Sequence, residues 1–284
     1  MEDAIRKADV LIEALPYIKE FHRKVMVIKY GGSILGDEKI RQGVLEDIVF
    51  LSYMGLCPVL VHGGGPNISE RMKQEGMKTE FVDGMRVTDE KTLAVVEEEL
   101  EKLNAIIVSE LQELGQKATG FSSKDNGVIL ARKRQEAKDL GLVGEVEAIG
   151  VEPILRETRD YSIPVLCPMG KGKDGKTYNI NADEAASRVA SSLRAEKLVV
   201  LTNVRGIMRS TSDTSSLIST LTISEANGLI KEGAVHQGMI PKVKSCISAL
   251  EAAVKKTHII DARIPHALLL EIFTKQGIGT EIIK

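Results

Sequence analysis

Short apolar runs alternate with helical patterns along most of this chain, and that alternation limits the fold more than any other feature. Val25 to Lys29, Pro58 to Val61, Ile163 to Cys167, Leu198 to Thr202 and His258 to Ile260 are compact and rich in Val, Ile and Leu, with glycine or polar residues at their bounds. These are the marks of strands. Apolarity at nearly every position means that both faces of each strand are covered, as in a parallel sheet between helices. In the longest helical segment, Asp89 to Leu114, the residues Leu93, Val96, Leu100, Leu103, Ile107 and Leu111 recur at spacings of three and four. The pattern predicts an α/β fold built on a mainly parallel sheet.

The 284 residues suffice for one large α/β domain or two small lobes, with a weak boundary near 170–178, where Gly and Lys accumulate. The formal net charge of −2 provides no global basic field, so neither nucleic acid nor an anionic membrane is an expected partner. No run of about 18 apolar residues is present to span a bilayer. The N-terminus lacks an apolar core with a cleavage site, and Glu2, Asp3 and Glu13 argue against a transit peptide. Cys57, Cys167 and Cys246 lie far apart in apolar stretches, without zinc spacing or an even disulfide set. They are expected to be buried thiols in a reducing cytosol, and the location is expected to be cytoplasmic.

The leading segment differs from the rest. Ile5, Ile12, Leu15 and Ile18 can form one apolar stripe on a helix that Pro16 should kink by removing a donor. The helix either folds back on its own core or presents the stripe to a partner.

Two glycine clusters directly follow predicted strands, Lys29-Tyr-Gly-Gly-Ser33 and His62-Gly-Gly-Gly-Pro66. The carboxyl ends of parallel strands are where α/β proteins place ligands. Glycine lets backbone N–H groups approach an anion, and Pro66 suits the first turn of a helix, whose positive end adds to the attraction. His-Gly-Gly-Gly also occurs as the oxyanion-hole loop of α/β-hydrolases, but the Gly-x-Ser-x-Gly elbow that must accompany it is missing. Gly170-Lys-Gly-Lys-Asp-Gly-Lys-Thr177 matches the P-loop pattern, and its Gly170, Gly172 and Gly175 match G-x-G-x-x-G. Both motifs need a helix to begin at the loop's end. The better helix start is Asn181, with Glu184 at the third helical position as in a capping box. Asp174-Gly175 between β-like runs predicts an exposed basic hairpin instead.

Transfer of a phosphoryl group to a carboxylate needs cations where negative charge accumulates. Lys29 sits on a strand end before glycines, and Lys242 follows Pro241 in the first turn of a helix, where a lysine opposes the dipole unless an anion is bound. The plain alternative for either is a solvated surface lysine. Asp183, in the first turn after Asn181, either compensates the helix dipole or holds the two lysines. Arg86 either makes a surface ion pair or grips a substrate carboxylate with both arms.

Lys29-x-Gly-Gly, Val61-His-Gly-Gly-Gly-Pro-x-Ile68, Asp83-Gly-Met-Arg-Val-Thr-Asp89, Asn179-Ile-Asn-Ala-Asp183 and Gly238-Met-Ile-Pro-Lys-Val243 together resemble the amino-acid kinase family. Within it they are similar to the acetylglutamate kinases, over almost the whole chain. The resemblance implies a three-layer αβα sandwich of the carbamate kinase-like kind. Its N-lobe, about 23–178, would bind N-acetyl-L-glutamate, and its C-lobe, about 179–284, would bind ATP. It also implies transfer of the γ-phosphoryl group to the side-chain carboxylate, in arginine biosynthesis. Lys29 and Lys242 would stabilise the transition state with Asp183 organising them. Gly64, Gly65, Arg86 and Asn179 would bind the acceptor, and Gly31 and Gly32 would face the phosphoryl group. Mg²⁺ would ride on the nucleotide, since no carboxylate cluster suggests a protein metal site. Asn203, where the family usually has aspartate, and Gln237, where it usually has glycine, depart from the pattern on the nucleotide side.

The ends, Glu13-Ala-Leu-Pro-Tyr-Ile18 and Pro265-His-Ala-Leu-Leu-Leu-Glu-Ile-Phe-Thr-Lys-Gln-Gly-Ile-Gly-Thr280, resemble the arginine-inhibited hexameric branch. That resemblance makes 1–22 an interlacing helix ahead of a kinase domain at 23–284. It implies a homohexamer built as a trimer of dimers, with arginine as effector bound near Tyr17, His266, Glu271 and Gly277. The alternative for Glu271 is a solvent-facing helix residue. No feature bears on a PII-type regulator. A kinase of this fold with another small acceptor, or a non-catalytic arginine sensor, remain as rival functions.

Overall fold

The computed structural model describes residues 1–124, 128–209, 213, 216–235, 238–274 and 277–284. In chain order come α1 (Glu2–Phe21), β1 (Val25–Tyr30), α2 (Gly32–Leu35), α3 (Glu38–Tyr53), β2 (Cys57–His62), α4 (Gly65–Gln74), β3 (Phe81–Val82) and β4 (Met85–Arg86). They are followed by α5 (Glu90–Glu113), β5 (Ala118–Phe121), β6 (Ile129–Lys133), β7 (Val143–Ile149), α6 (Val151–Arg159), β8 (Ile163–Leu166), β9 (Met169–Gly172) and β10 (Thr177–Ile180). The chain ends with α7 (Ala182–Ser192), β11 (Lys197–Thr202), β12 (Thr220–Thr222), α8 (Ile223–Lys231), α9 (Ile240–Glu251), β13 (Lys256–Asp261), α10 (Ala267–Phe273) and β14 (Thr280–Ile283).

An eight-stranded sheet in the order β12-β14-β13-β11-β1-β2-β8-β5 organises the molecule. Only the β13–β14 pair is antiparallel. The strands legible in the sequence are β13, β11, β1, β2 and β8, which are consecutive neighbours at the centre of the sheet. Successive side chains point to opposite faces. Val27, Val59, Leu198 and Val200 enter one core with Val189 of α7 and Val243 of α9. Met26, Ile28, Leu60, Val199 and Leu201 enter the other with Ile48 of α3, Ile107 of α5 and Leu268 of α10. Two covered faces require apolar residues on both parities, hence the continuous runs. The outcome is the expected three-layer α/β architecture.

The predicted long helix is α5, with Asp89 at its N-cap accepting from Thr92 N at 2.8 Å. Four strands, β10-β7-β6-β9, close into a small separate barrel that the sequence pattern did not reveal. The P-loop-like segment lies there as the hairpin between β9 and β10. Gly172 N donates to Lys176 O at 2.8 Å, Gly175 has φ 79°, Lys176 is exposed, and no helix starts at Thr177. The stretch 170–178 is thus one hairpin, and the large sheet runs unbroken from the earlier strands to the later ones through β1–β11.

Helix α1 continues through Pro16. Its apolar stripe is divided: Phe21 is buried and Tyr17 and Ile18 half-buried, whereas Ile5, Ile12 and Leu15 are exposed by 53%, 67% and 41%. Cys167 and Cys246 are buried as expected, but Cys57 is only half-buried because it opens β2 near the surface. Among the described residues, no helix is long and apolar enough to cross a membrane.

Ile28, at the centre of β1, is fully buried. Ile28→Ala should cost about 2–5 kcal/mol, read as a lower denaturation midpoint at unchanged slope.

Candidate active site

Parallel pairing of β1 with β2 sets Lys29 beside Val61 and Tyr30 beside His62, so the glycine loops after the two strands emerge side by side. Gly63 N donates to Tyr30 O at 2.9 Å and Gly31 N to Leu201 O at 3.2 Å. A Cβ on Gly31 would stand 2.8 Å from Leu201 O, and one on Gly32 would stand 3.0 Å from Gly65 N and 3.1 Å from Gly64 N. Side chains are therefore excluded at Gly31 and Gly32, and the Gly64 and Gly65 nitrogens lie close to the first loop. Gly65 and Pro66 open α4, so those amides belong to a helix N-terminus, which favours an anion.

Lys29, Asp183 and Lys242 meet at the same end of the sheet. Lys29 Nζ lies 2.8 Å from Asp183 Oδ1, and Lys242 Nζ lies 3.0 Å from Asp183 Oδ2. Lys29 comes from the end of β1, Asp183 from the first turn of α7 and Lys242 from the first turn of α9. Asn181 caps α7 as expected, its Oδ1 accepting from Asp183 N at 2.9 Å and Glu184 N at 3.2 Å. The reciprocal arm of a capping box is absent, because Glu184 instead accepts from Val146 N and pairs with Arg134. Burial pushes the Asp183 carboxyl up, but the two ammonium groups outweigh it and hold the pKa at about 2. Burial lowers the Lys29 pKa, opposed by Asp183 and assisted by Lys242.

Among the described residues Arg86 has no ion-pair partner. It is 5% exposed and stacks over Phe81 at 4.7 Å. Its Nη2 donates to Gly65 O at 3.0 Å and to Ser69 Oγ at 2.8 Å. Asp83 and Gly84, with φ of 49° and 79°, turn β3 back into β4 and carry Arg86 inward. Asn179 Nδ2 donates to Thr88 Oγ1 at 3.1 Å, and Thr88 Oγ1 donates to Arg86 O at 2.7 Å, so the two candidate acceptor-binding residues are coupled.

A cavity of about 320 Å³ is lined by Lys29, Gly31, Gly32, Gly64, Gly65, Arg86, Asn179, Asp183 and Lys242, among others. A second cavity of about 440 Å³ has walls of Val204, Ile207, Val235 and Met239 and shares Thr202, Asn203 and Lys242 with the first. Asn203 is exposed where the two meet, and Gln237 lies outside the described residues. Among the described residues lining either cavity, Asp183 is the only carboxylate. Likewise, no group of three described His, Cys, Asp or Glu residues is arranged to hold a metal ion.

The sequence profile of the amino acid kinase family matches residues 24–261. The chain belongs to the amino acid kinase family. An acetylglutamate kinase of Caldanaerobacter subterraneus subsp. tengcongensis is 50% identical over 99% of this chain and 95% of its own length. One of Heliobacterium modesticaldum is 47% identical over the whole of both chains. Among solved structures, the N-acetylglutamate synthase of Neisseria gonorrhoeae complexed with coenzyme A and N-acetyl-glutamate superposes with a TM-score of 0.88 at 27% identity. That match covers 98% of this chain but only 63% of the synthase. The same synthase complexed with coenzyme A and L-arginine gives a TM-score of 0.85 at 26% identity, with 98% and 65% covered.

This amino acid kinase has a further cavity of about 380 Å³ between α1 and the chain end, lined by Tyr17, Glu271 and Gly277 together with Lys197, His258 and Glu281. His266 is not among its lining residues. It starts α10 with φ 55° and its Nδ1 faces Asp47 Oδ1 at 2.8 Å in a separate groove. Glu271 is buried rather than solvent-facing. It accepts from His258 Nδ1 at 2.6 Å, Ile278 N at 2.7 Å and Gly279 N at 3.2 Å. Lys197 Nζ, a donor only, lies 3.1 Å from His258 Nε2, which leaves the His258 proton on Nδ1. Lys197 and His258 escaped sequence reading because Lys197 stands just before, and His258 opens, a run that read only as strand, and only the β11–β13 pairing makes them neighbours.

A lowered Lys29 pKa means that its ammonium is lost before the ordinary 10.5 as pH rises. The turnover of this kinase should therefore fall along an alkaline limb that begins below 10.5, while Asp183 stays ionised down to about 2 and supplies no acid limb above it. A kcat–pH profile checks this: the alkaline limb should move to higher pH in Lys29→Arg, whose guanidinium keeps its proton.

Proposed function

We propose that this kinase transfers the γ-phosphoryl group of ATP to the side-chain carboxylate of N-acetyl-L-glutamate, giving N-acetyl-L-glutamyl 5-phosphate in arginine biosynthesis, in the cytoplasm. The observation that carries the reading is the Lys29–Asp183–Lys242 group at the junction of two unlike cavities. One cavity offers a guanidinium and an amide for a small acyl-amino acid, and the other offers apolar walls for a base. The choice of acceptor is supported by the name of relatives that match from end to end.

In this reading Arg86 and Asn179 seat the acceptor, with its side-chain carboxylate directed at the glycine loops. A carboxylate oxygen forms its bond to the γ-phosphorus as the bond to the bridging β–γ oxygen breaks and the electron pair leaves with ADP. Charge spreads over the equatorial phosphoryl oxygens, where Lys29, Lys242 and the amides of Gly32, Gly64 and Gly65 meet it. Asp183 keeps both ammonium groups aimed and charged. Mg²⁺ would ride on the nucleotide, where it would neutralise phosphate charge. Both Asp183 oxygens are engaged by lysines, and Asp183 is the only carboxylate among the described lining residues.

The cavity beside α1 is the proposed arginine site, with Glu271 and Glu281 as carboxylates and Tyr17 and Gly277 at its wall. The arginine-bound synthase of related fold supports this reading. The exposed Ile5, Ile12 and Leu15 support α1 as the helix that interlaces dimers into a hexamer.

A coupled ADP-release assay tests the acceptor and the lysines together. The kcat/KM for N-acetylglutamate should exceed that for glutamate by roughly 10²-fold or more, because a free ammonium would go unpaired in the site. In the same assay Lys242→Ala should lower kcat by roughly 10²-fold with a smaller change in KM, and Lys176→Ala in the hairpin should be nearly silent. Comparable constants for the two acceptors reject the assignment. Removal of residues 1–22 should leave active dimers, by light scattering, that lose most of their response to arginine; a truncated protein that remains hexameric rejects the interlacing role.

A further inference from the structure

The histidine that opens the second glycine loop has no part in the chemistry described so far. His62 is fully buried at the end of β2, and burial lowers its pKa to about 4, so its ring is neutral. Its two nitrogens face different elements. Nδ1 is 3.1 Å from Gly63 O, and Nε2 is 3.2 Å from Asn104 Nδ2 and 3.4 Å from Cys167 Sγ. Asn104 Nδ2 carries only protons to give, and it also donates to Val165 O at 2.9 Å. Nε2 must therefore accept, and the ring proton is on Nδ1, donated to Gly63 O. The preceding peptide is held as well, since Gly63 N donates to Tyr30 O at 2.9 Å.

The Gly63 carbonyl and the Gly64 N–H belong to one planar trans peptide and point in opposite directions. Tying the carbonyl inward turns that N–H outward. Gly64 N lies beside Gly32, on which a Cβ would stand 3.1 Å from it. Among the described residues, no acceptor pairs with this N–H. We infer that His62 is a positioning residue, which in its Nδ1–H tautomer, set by Asn104, locks the Gly63–Gly64 peptide so that the Gly64 amide meets the transferring phosphoryl group. The inference rests on the phosphoryl-transfer reading and extends it to a group that touches neither substrate.

Asparagine and glutamine separate positioning from packing. In His62→Asn the side-chain amide nitrogen would occupy roughly the place of the imidazole Nδ1 and can still donate to Gly63 O. In His62→Gln the amide nitrogen falls near the place of Nε2 and leaves that carbonyl untied. The test compares the two variants for melting temperature, kcat and KM in the ADP-release assay. It also compares the Gly64 amide signal in ¹⁵N-glycine-labelled protein without substrates. With both variants folded, H62N should keep kcat within about threefold, while H62Q should lose roughly tenfold or more in kcat with little change in KM. The Gly64 signal should stay near its wild-type position in H62N and move in H62Q. Equal losses in the two variants, or an unmoved Gly64 signal in H62Q, overturn the proposal. Should H62Q fail to fold, His62→Leu keeps a side chain of similar size and removes the donor to Gly63 O; an unmoved Gly64 signal there overturns it equally. Absence of transfer to N-acetylglutamate in the wild type would refute the acceptor assignment alone, because the Gly64 signal needs no substrate.

Discussion

The contact on which the rest of the site depends is the pairing of one buried carboxylate with two ammonium groups. Lys29 and Lys242 come from opposite ends of the sequence, and their ammonium groups would repel each other so close together. Asp183 makes their approach tolerable, with one oxygen to each at 2.8 and 3.0 Å. Removing either partner from a buried pair leaves a charge uncompensated, so the three positions form one unit. The unit also joins the two cavities, because Lys242 lines both.

Backbone geometry surrounds that unit. Strand β1 lies between β2 and β11 with all three parallel, so their carboxyl ends open to the same side. The glycine loops after β1 and β2 touch through main-chain atoms, which requires Gly32 to lack a side chain, just as Gly31 must against Leu201 O of β11. Anion-binding capacity thus arises from strand order and glycine placement. Side chains enter as charges and as braces, among them Arg86 against Gly65 O and His62 against Gly63 O.

Much of this was legible in the residues. The continuous apolar runs correspond to the five central strands because a strand covered on both faces must be apolar at both parities. Strands β5, β12 and β14 were not legible, for Ala118–Phe121, Thr220–Thr222 and Thr280–Ile283 are short and interrupted by polar residues or glycine near the sheet's edges. The small barrel escaped for a similar reason, since Met169–Gly172 and Thr177–Ile180 read only as a hairpin until β6 and β7 close around them. Near the chain ends, Tyr17, Glu271 and Gly277 line one cavity, whereas His266 turns to Asp47.

The sequence by itself determined the layered α/β architecture, the two glycine loops, the hairpin nature of the P-loop-like stretch and the two lysines proposed to act on the phosphoryl group. These follow from periodicity, turn residues and local spacing, which are properties of neighbours along the chain. Tertiary structure alone decided that Asp183 takes one lysine on each oxygen, that Arg86 is buried against Gly65 and Ser69, and that His62 faces Asn104 and Cys167. It also decided that Glu271 is sealed by His258 and by the turn that follows it. Each of these joins groups on different elements, and no local pattern encodes which of them strand order will bring within hydrogen-bond reach.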